Sequence, residues 1–207
     1  CVMSIVTYNN RSIANISAIP GAAKSLIHIK TLTASSSSTL SFVDGSDDVV
    51  LDSTYPIYMF KYIGIHPATD GAQFQVGFRD GDTNYDATKT STFFKSQNRE
   101  DGAGGSIGYE TSHDLAQGTG FQNLTQDIGN DNDQGISGEL FIFNPSSTTF
   151  VKHFIAKSNS SASNDRSFND FIAGYCNVTA AIDAVQFKMS SGNMDAGTIK
   201  LYGLKDS

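Results

Sequence analysis

The heptapeptide Gln73-Phe74-Gln75-Val76-Gly77-Phe78-Arg79 alternates apolar and polar residues. Successive side chains of an extended strand point to opposite sides, so Phe74, Val76 and Phe78 belong on one face and Gln73, Gln75 and Arg79 on the other. A helix would scatter the same residues around its circumference. The stretch therefore predicts a half-buried strand. Residues 183–189 repeat the pattern, with Val185, Phe187 and Met189 inward and Gln186 and Lys188 outward. In residues 26–32, Ile27, Ile29 and Thr31 are expected on one face and Leu26, His28 and Lys30 on the other. Residues 57–65, 140–143 and 150–156 are apolar on both faces, which suits central strands of a sandwich. Residues 199–204 close the chain.

Turn clusters separate these strands: Asp44-Gly45-Ser46-Asp47-Asp48, Asp80-Gly81-Asp82, Asp101-Gly102-Ala103-Gly104-Gly105, residues 129–135 and Ser190-Ser191-Gly192-Asn193. Asp-Gly and Gly-Gly pairs supply the positive φ that tight hairpins require. About ten short strands so spaced predict an all-β fold, an antiparallel β-sandwich of jelly-roll type. Residues 35–38 read as a loop and residues 111–118 as one helical turn. There is no internal repeat of fixed period.

Composition agrees. The 21 acids divide into eighteen Asp and three Glu (Glu100, Glu110, Glu139). Asp favours turns and Glu favours helix interiors, so a mainly helical chain is excluded. Hydrophobic residues at 39 % and aromatics at 11 % suffice for a core and exclude disorder. The 207 residues suit one domain. A net charge of −7 with scattered Lys and Arg argues against a nucleic-acid partner. No apolar run approaches the roughly 20 residues a membrane-spanning helix needs, so no membrane insertion is expected. The N-terminus predicts no secretory leader. Met3 reads as the first natural residue, with Cys1 and Val2 as a remnant before it. A bridge between Cys1 and Cys176 is not expected, because a chain end seldom closes a structural disulfide; neither has a second Cys nearby for a thiolate metal site.

Residues 1–24 differ from the rest. Ile13, Ile16 and Ile19 recur every third position behind Asn10 and Arg11, and Pro20-Gly21 ends the run. So short a stripe cannot fold alone. Residues 1–24 are read as an attachment arm, or as a first buried segment, and residues 25–207 as the sandwich domain.

Signals for chemistry are weak. Asp80, Asp82, Asn84 and Asp86 alternate oxygen-bearing side chains as the start of a calcium loop does, which makes calcium the one cofactor to consider. However, Tyr85 stands where the sharp turn of an EF-hand needs Gly, and Ser91 where its bidentate Glu belongs; a solvated hairpin loop is the plainer reading. Asn130, Asp131, Asn132 and Asp133 are of the same kind. His28, His66, His113 and His153 fit no metal-ligand spacing, and no nucleophile elbow, P-loop or dinucleotide motif occurs. The many Asp residues make any choice of a catalytic pair arbitrary, so no catalytic residue is assigned. Eight tyrosines could include a sugar-stacking platform, although there is no Trp.

Several segments together resemble virion structural proteins of tailed phages, particularly marine ones. The opening Met3-Ser4-Ile5-Val6-Thr7-Tyr8-Asn9-Asn10-Arg11-Ser12-Ile13 is one. Phe60-Lys61-Tyr62-Ile63-Gly64-Ile65-His66-Pro67-Ala68-Thr69-Asp70 is another, as are residues 141–154, which begin Phe141-Ile142-Phe143-Asn144-Pro145. The ending, residues 187–205, is similar to terminal strands of phage fibre and surface domains, where a Ser190-Ser191-Gly192-Asn193 hairpin precedes Gly197-Thr198-Ile199-Lys200-Leu201-Tyr202-Gly203. In physical terms Asn193 is expected to take positive φ there, and Gly203 to let another backbone approach. The resemblance runs from Met3 to Lys205 and carries no catalytic motif.

The resemblance implies a non-enzymatic particle component on the virion exterior. A tail fibre or receptor-binding protein is the leading expectation, anchored to other virion proteins through Asn10, Arg11, Ile13, Ile16 and Ile19, and by resemblance a homotrimer. Tyr85, Asn98, Arg99 and residues Asn130, Asp131, Asn132 and Asp133 would then meet a host surface glycan or protein. A capsid decoration (cement) protein on the head is the first alternative and a glycan-degrading enzyme the second.

Overall fold

In the computed structural model, which describes residues 25–205, the heptapeptide behaves as its alternation predicts: Phe74, Val76 and Phe78 are all fully buried. It forms the fourth of twelve strands: β1 Leu26–Thr33, β2 Thr39–Val43, β3 Ile57–Pro67, β4 Phe74–Arg79, β5 Lys89–Arg99, β6 Gly105–Tyr109, β7 Gln122–Asn123, β8 Gly135–Phe143, β9 Lys152–Ala162, β10 Arg166–Cys176, β11 Ala184–Met189 and β12 Met194–Leu204. No helix occurs among the described residues, and so none long enough to cross a membrane. Residues 111–118, expected as a helical turn, are an irregular segment. Their backbone groups bond to β5 instead: Ser91 N–H to Leu115 O at 2.8 Å, and Lys89 and Gly118 to each other at 2.8 and 2.9 Å.

The strands form two antiparallel sheets, ordered β1-β12-β3-β8-β9-β10-β5-β6 and β2-β11-β4-β7. Four of the pairings are nested: β1 with β12, β2 with β11, β3 with β8 and β4 with β7. First pairs with last, second with second-last, and so inward, as in a long hairpin rolled until its two halves face each other. That is a jelly roll, so the sandwich expectation holds. The hairpins β5–β6 and β9–β10 are additions, and both widen the first sheet. The doubly apolar stretches 57–65 and 140–143 lie in β3 and β8, inside that sheet.

Aromatic side chains fill the space between the sheets. Phe74 stacks on Phe187 at 5.5 Å between centroids, and Phe42 meets Phe60 edge-on at 5.2 Å. Burying each such ring contributes about 2 kcal/mol or more. The eight-stranded sheet overhangs the four-stranded one, and residues 110–128 cover the inner face of the overhang.

Three local expectations are corrected. In β1 the register shifts between His28 and Lys30, so Thr31 pairs with outward-facing Lys200 rather than sharing a face with Ile27 and Ile29. In the last hairpin Gly192, not Asn193, takes the left-handed conformation, at φ 68°. Asn193 instead donates its side-chain amide to Ser36 O at 3.0 Å. At Gly203 the close neighbour is the ring of Tyr55, 2.3 Å from where a Cβ would stand, and not another backbone.

The register fixes two ends. Leu26 and Leu204 lie together with Ile57 and Phe143 at one end. Arg99, Gly135, Ala162 and Arg166 lie at the other, where β5, β8, β9 and β10 begin or finish. The arm residues Asn10, Arg11, Ile13, Ile16 and Ile19, and Cys1, lie outside the described residues. Cys176 is a buried free thiol, pushed up to about 12 by burial.

Candidate functional site

The predicted site residues divide between the two ends. Asp80, Asp82, Asn84, Tyr85 and Asp86 follow β4, at the end where residue 26 begins β1. Each of Asp80, Asp82 and Asp86 offers a carboxylate oxygen, and these atoms lie within 4.8 Å of one another, the one such trio of acidic, His or Cys groups among the described residues. Asp82 is partly occupied, because its Oδ1 accepts the Asn84 N–H at 2.6 Å. Beside the loop lie two buried ammonium groups. Lys89 Nζ donates to Ala87 O at 2.5 Å, and Lys152 Nζ donates to Val178 O at 2.8 Å and to Ser147 O at 3.2 Å. Burial lowers the pKa of both lysines, and the charge of Asp80 resists that shift. The loop thus already faces protein cations. Three carboxylates supply only part of the six to eight oxygens that calcium takes. Tyr85 is half-buried, and its Cβ packs on Gly77, 2.9 Å from where a Cβ of that glycine would be.

The other predicted residues sit at the far end. Arg99 is held by Asp101, with Nη2 to Oδ2 at 2.8 Å, and the guanidinium holds that carboxyl at about 2. Asn98 is exposed beside it. In the second acidic loop, Asn130 N–H meets Asp70 Oδ1 at 3.3 Å and Asp131 N–H meets Gln134 Oε1 at 3.1 Å. His66 Nε2 lies 3.1 Å from Asp131 O. Asn132 and Asp133 are exposed. These residues form a rim, not a shared pocket with Asp80–Asp86.

Under the overhang lies a polar layer that patterning did not reveal. Lys95 pairs with Glu110 (Nζ to Oε2, 2.9 Å), and Gln126 bridges them, accepting from Lys95 and donating to Glu110 at 2.9 Å. The bonds from Lys95 and Ser112 hold the Glu110 carboxyl down at about 2. Asp170 is fully buried; its Oδ2 accepts Gln126 N–H at 3.2 Å and its Oδ1 has no partner. Burial raises its carboxyl to about 7. His113 Nε2 is also buried without a partner, and burial lowers that ring's pKa. Two carboxyls displaced in opposite directions are what acid–base catalysis uses. Neither residue lines the grooves described below on the outer face of the sheet.

The broadest accessible feature is the outer face of the eight-stranded sheet. Register pairing lays Tyr109, Phe94, Phe171, Lys157, Glu139, Lys61, Lys200 and Thr31 in one row across all eight strands. Phe94 stacks on Phe171 at 4.9 Å, and Lys157 Nζ stands 5.4 Å from the Phe171 centroid. Seven large apolar side chains are exposed among the described residues. Six (Leu26, Ile63, Phe94, Ile107, Tyr109, Ile155) are on this face, and Phe150 is in the β8–β9 loop. Of the tyrosines, Tyr109, Tyr175 and Tyr202 lie on this face, whereas Tyr58 and Tyr62 are core. The signal was present in the doubly apolar strands, whose second face proves to be this surface rather than a third layer.

No family model, curated protein or solved structure matches this chain.

Proposed function

We propose that the chain is a non-enzymatic structural protein on the exterior of a tailed-phage particle, acting there as a tail fibre or receptor-binding component that meets a host surface glycan or protein. The observation that carries the reading is the outer face of the widened sheet. The contiguous aromatic run Tyr109, Phe94 and Phe171 across β6, β5 and β10, with exposed Ile107 and Ile155 near it, is the kind of patch that marks an interaction site. The resemblance over Met3–Lys205 supports the particle context, and the jelly roll is a fold that capsid and sugar-binding domains use. In this reading residues 1–24 join other virion proteins at the end where β1 begins, three copies assemble, and the rim of Asn98, Arg99 and residues 130–133 lies at the opposite end.

The same face supports a second reading, a capsid decoration protein, in which its aromatic end grips the shell. Labelled antibody on intact particles separates the two. Labelling at the tail tip, with saturable binding of purified protein to host cells, is the expected result. Label spread over the head transfers the assignment to decoration, and label on no particle removes both. Release of reducing sugar from host polysaccharide would overturn the non-enzymatic reading.

A further inference from the structure

Three grooves follow one another on the outer face along β9, an interior strand of the sheet, and the first and second share no lining residue. The first, of about 330 Å³, runs past His153 and Ile155 over Ala173 and Tyr175. The second, of about 370 Å³, lies between Lys61 and Lys157. The third, of about 290 Å³, continues past Asn159 to Ser161 and shares Ser137 with the second. From His153 to Ser161 the trough extends about 26 Å, at ~3.3 Å per residue.

We propose that this trough binds a linear acidic polysaccharide, with its carboxylate or sulfate groups over Lys61 and Lys157 and a sugar ring at the apolar end over Ala173. This rests on the reading of the chain as a glycan-recognising surface protein and moves the contact from the loops to the sheet.

The geometry favours a glycan over an extended peptide. Both edges of β9 are already paired, to β8 and β10, so no backbone edge is open for strand addition, and recognition must come from side chains. The side chains present donors beside acceptors: Lys61, Lys157 and two serine hydroxyls can donate, and Glu139 and Asp133 accept. Ser137 Oγ accepts Gly64 N–H at 2.9 Å and Ser161 Oγ accepts Gly135 N–H at 3.2 Å, and neither hydroxyl has an acceptor of its own among the described residues. Lys157 makes no ion pair among them, and Lys61 meets Glu139 only at 3.8 Å. The charge supports an anion at the second groove: in a chain of net −7, it carries Lys61 and Lys157 against Glu139, and the other acid of the trough, Asp133, lies in the third groove at the far end. Tyr175 and the Phe94–Phe171 pair flank the small Ala173 floor, where the apolar face of a sugar ring can rest.

Affinity electrophoresis of the full chain tests this, with alginate as the carboxylated probe, dextran sulfate as the sulfated one and dextran as the neutral control. Alginate or dextran sulfate should retard the protein and dextran should not. Lys157→Ala should weaken retention about tenfold, as loss of a charge-assisted contact does. Ala173→Trp, which fills the apolar end, should also weaken it. Lys188→Ala, on the other sheet, should leave retention unchanged, and all three variants should keep the parent melting temperature. Equal retention by dextran, equal loss in Lys188→Ala, or no retention at all overturns the proposal. So does cross-linking that places Lys157 against a second copy of the chain. Particle labelling decides the underlying reading independently. A protein that sits on virions and binds cells but no acidic glycan sinks this inference alone. One that binds alginate through Lys157 but sits on no particle sinks the reading alone.

Discussion

Asp170 stands directly opposite Lys95 in the β10–β5 register, yet Lys95 gives its ammonium to Glu110, 2.9 Å away, and leaves Asp170 Oδ1 without a partner. One cation under the overhang serves one of two carboxyls, and their titrations separate accordingly.

For Asp170 the folded-state pKa is raised, to about 7 from 3.8. The folded form then binds the proton more tightly than the unfolded one, so stability is full below about pH 4 and falls as pH rises toward 7. Asp170→Asn removes the ionisation. It should stabilise by roughly 1–2 kcal/mol at pH 5 and by roughly 3–5 kcal/mol at pH 8. Urea denaturation at the two pH values measures the difference, and a variant less stable at pH 8 contradicts the burial argument.

Glu110 titrates in the opposite sense. Its folded pKa is lowered, to about 2 from 4.5, so its contribution is present above pH 4.5 and lost as pH falls toward 2. The group is partly exposed, which limits Glu110→Gln to a loss of about 1 kcal/mol at neutral pH. The freed Lys95 should then favour the ionised form of Asp170, and carboxyl NMR should show that group titrating at lower pH than in the parent.

Gly138 has no room for a side chain. A Cβ there would stand 2.3 Å from Lys157 O and 2.6 Å from the Tyr62 ring, whose hydroxyl bonds Ser158 Oγ at 2.6 Å. The neighbouring backbone cannot withdraw without breaking its ladder. Gly138→Ala should cost about 2–3 kcal/mol, read as a lower melting temperature. An unchanged melt would show that β8 and β9 are further apart than described.

Deleting residues 1–20 should leave the sandwich intact, since every nested pairing lies between Leu26 and Leu204. Circular dichroism should match the parent with a melting temperature within about 3 °C, a change of about 1 kcal/mol or less. Incorporation into particles should fail. Loss of folding would make the segment part of the core.

Strand character was legible wherever one face is buried, as at Phe74, Val76 and Phe78, because side-chain direction follows directly from spacing. The acidic trio was legible because Asp80, Asp82 and Asp86 are neighbours in the chain. The trough was not. Lys61, Ser137, Lys157 and Ala173 become neighbours only through the pairing of β3, β8, β9 and β10, and register is fixed by packing between distant segments. The β1 bulge was hidden for the same reason: its two isoleucines fit a simple alternation, and the partner strand breaks it. Asp170 gave no signal, because one Asp among eighteen says nothing of its burial.

The nested ribbon also governs how the chain becomes folded. Leu26 in β1 has its partner, Leu204, in β12, so the sheet edge it begins cannot close until the chain has been synthesised as far as Leu204. High contact order of this kind makes folding slow, in the millisecond-to-second range or beyond. It also leaves strands such as β3 and β8 exposed with apolar faces while they wait. Refolding yield should therefore fall with protein concentration more steeply than native stability alone suggests.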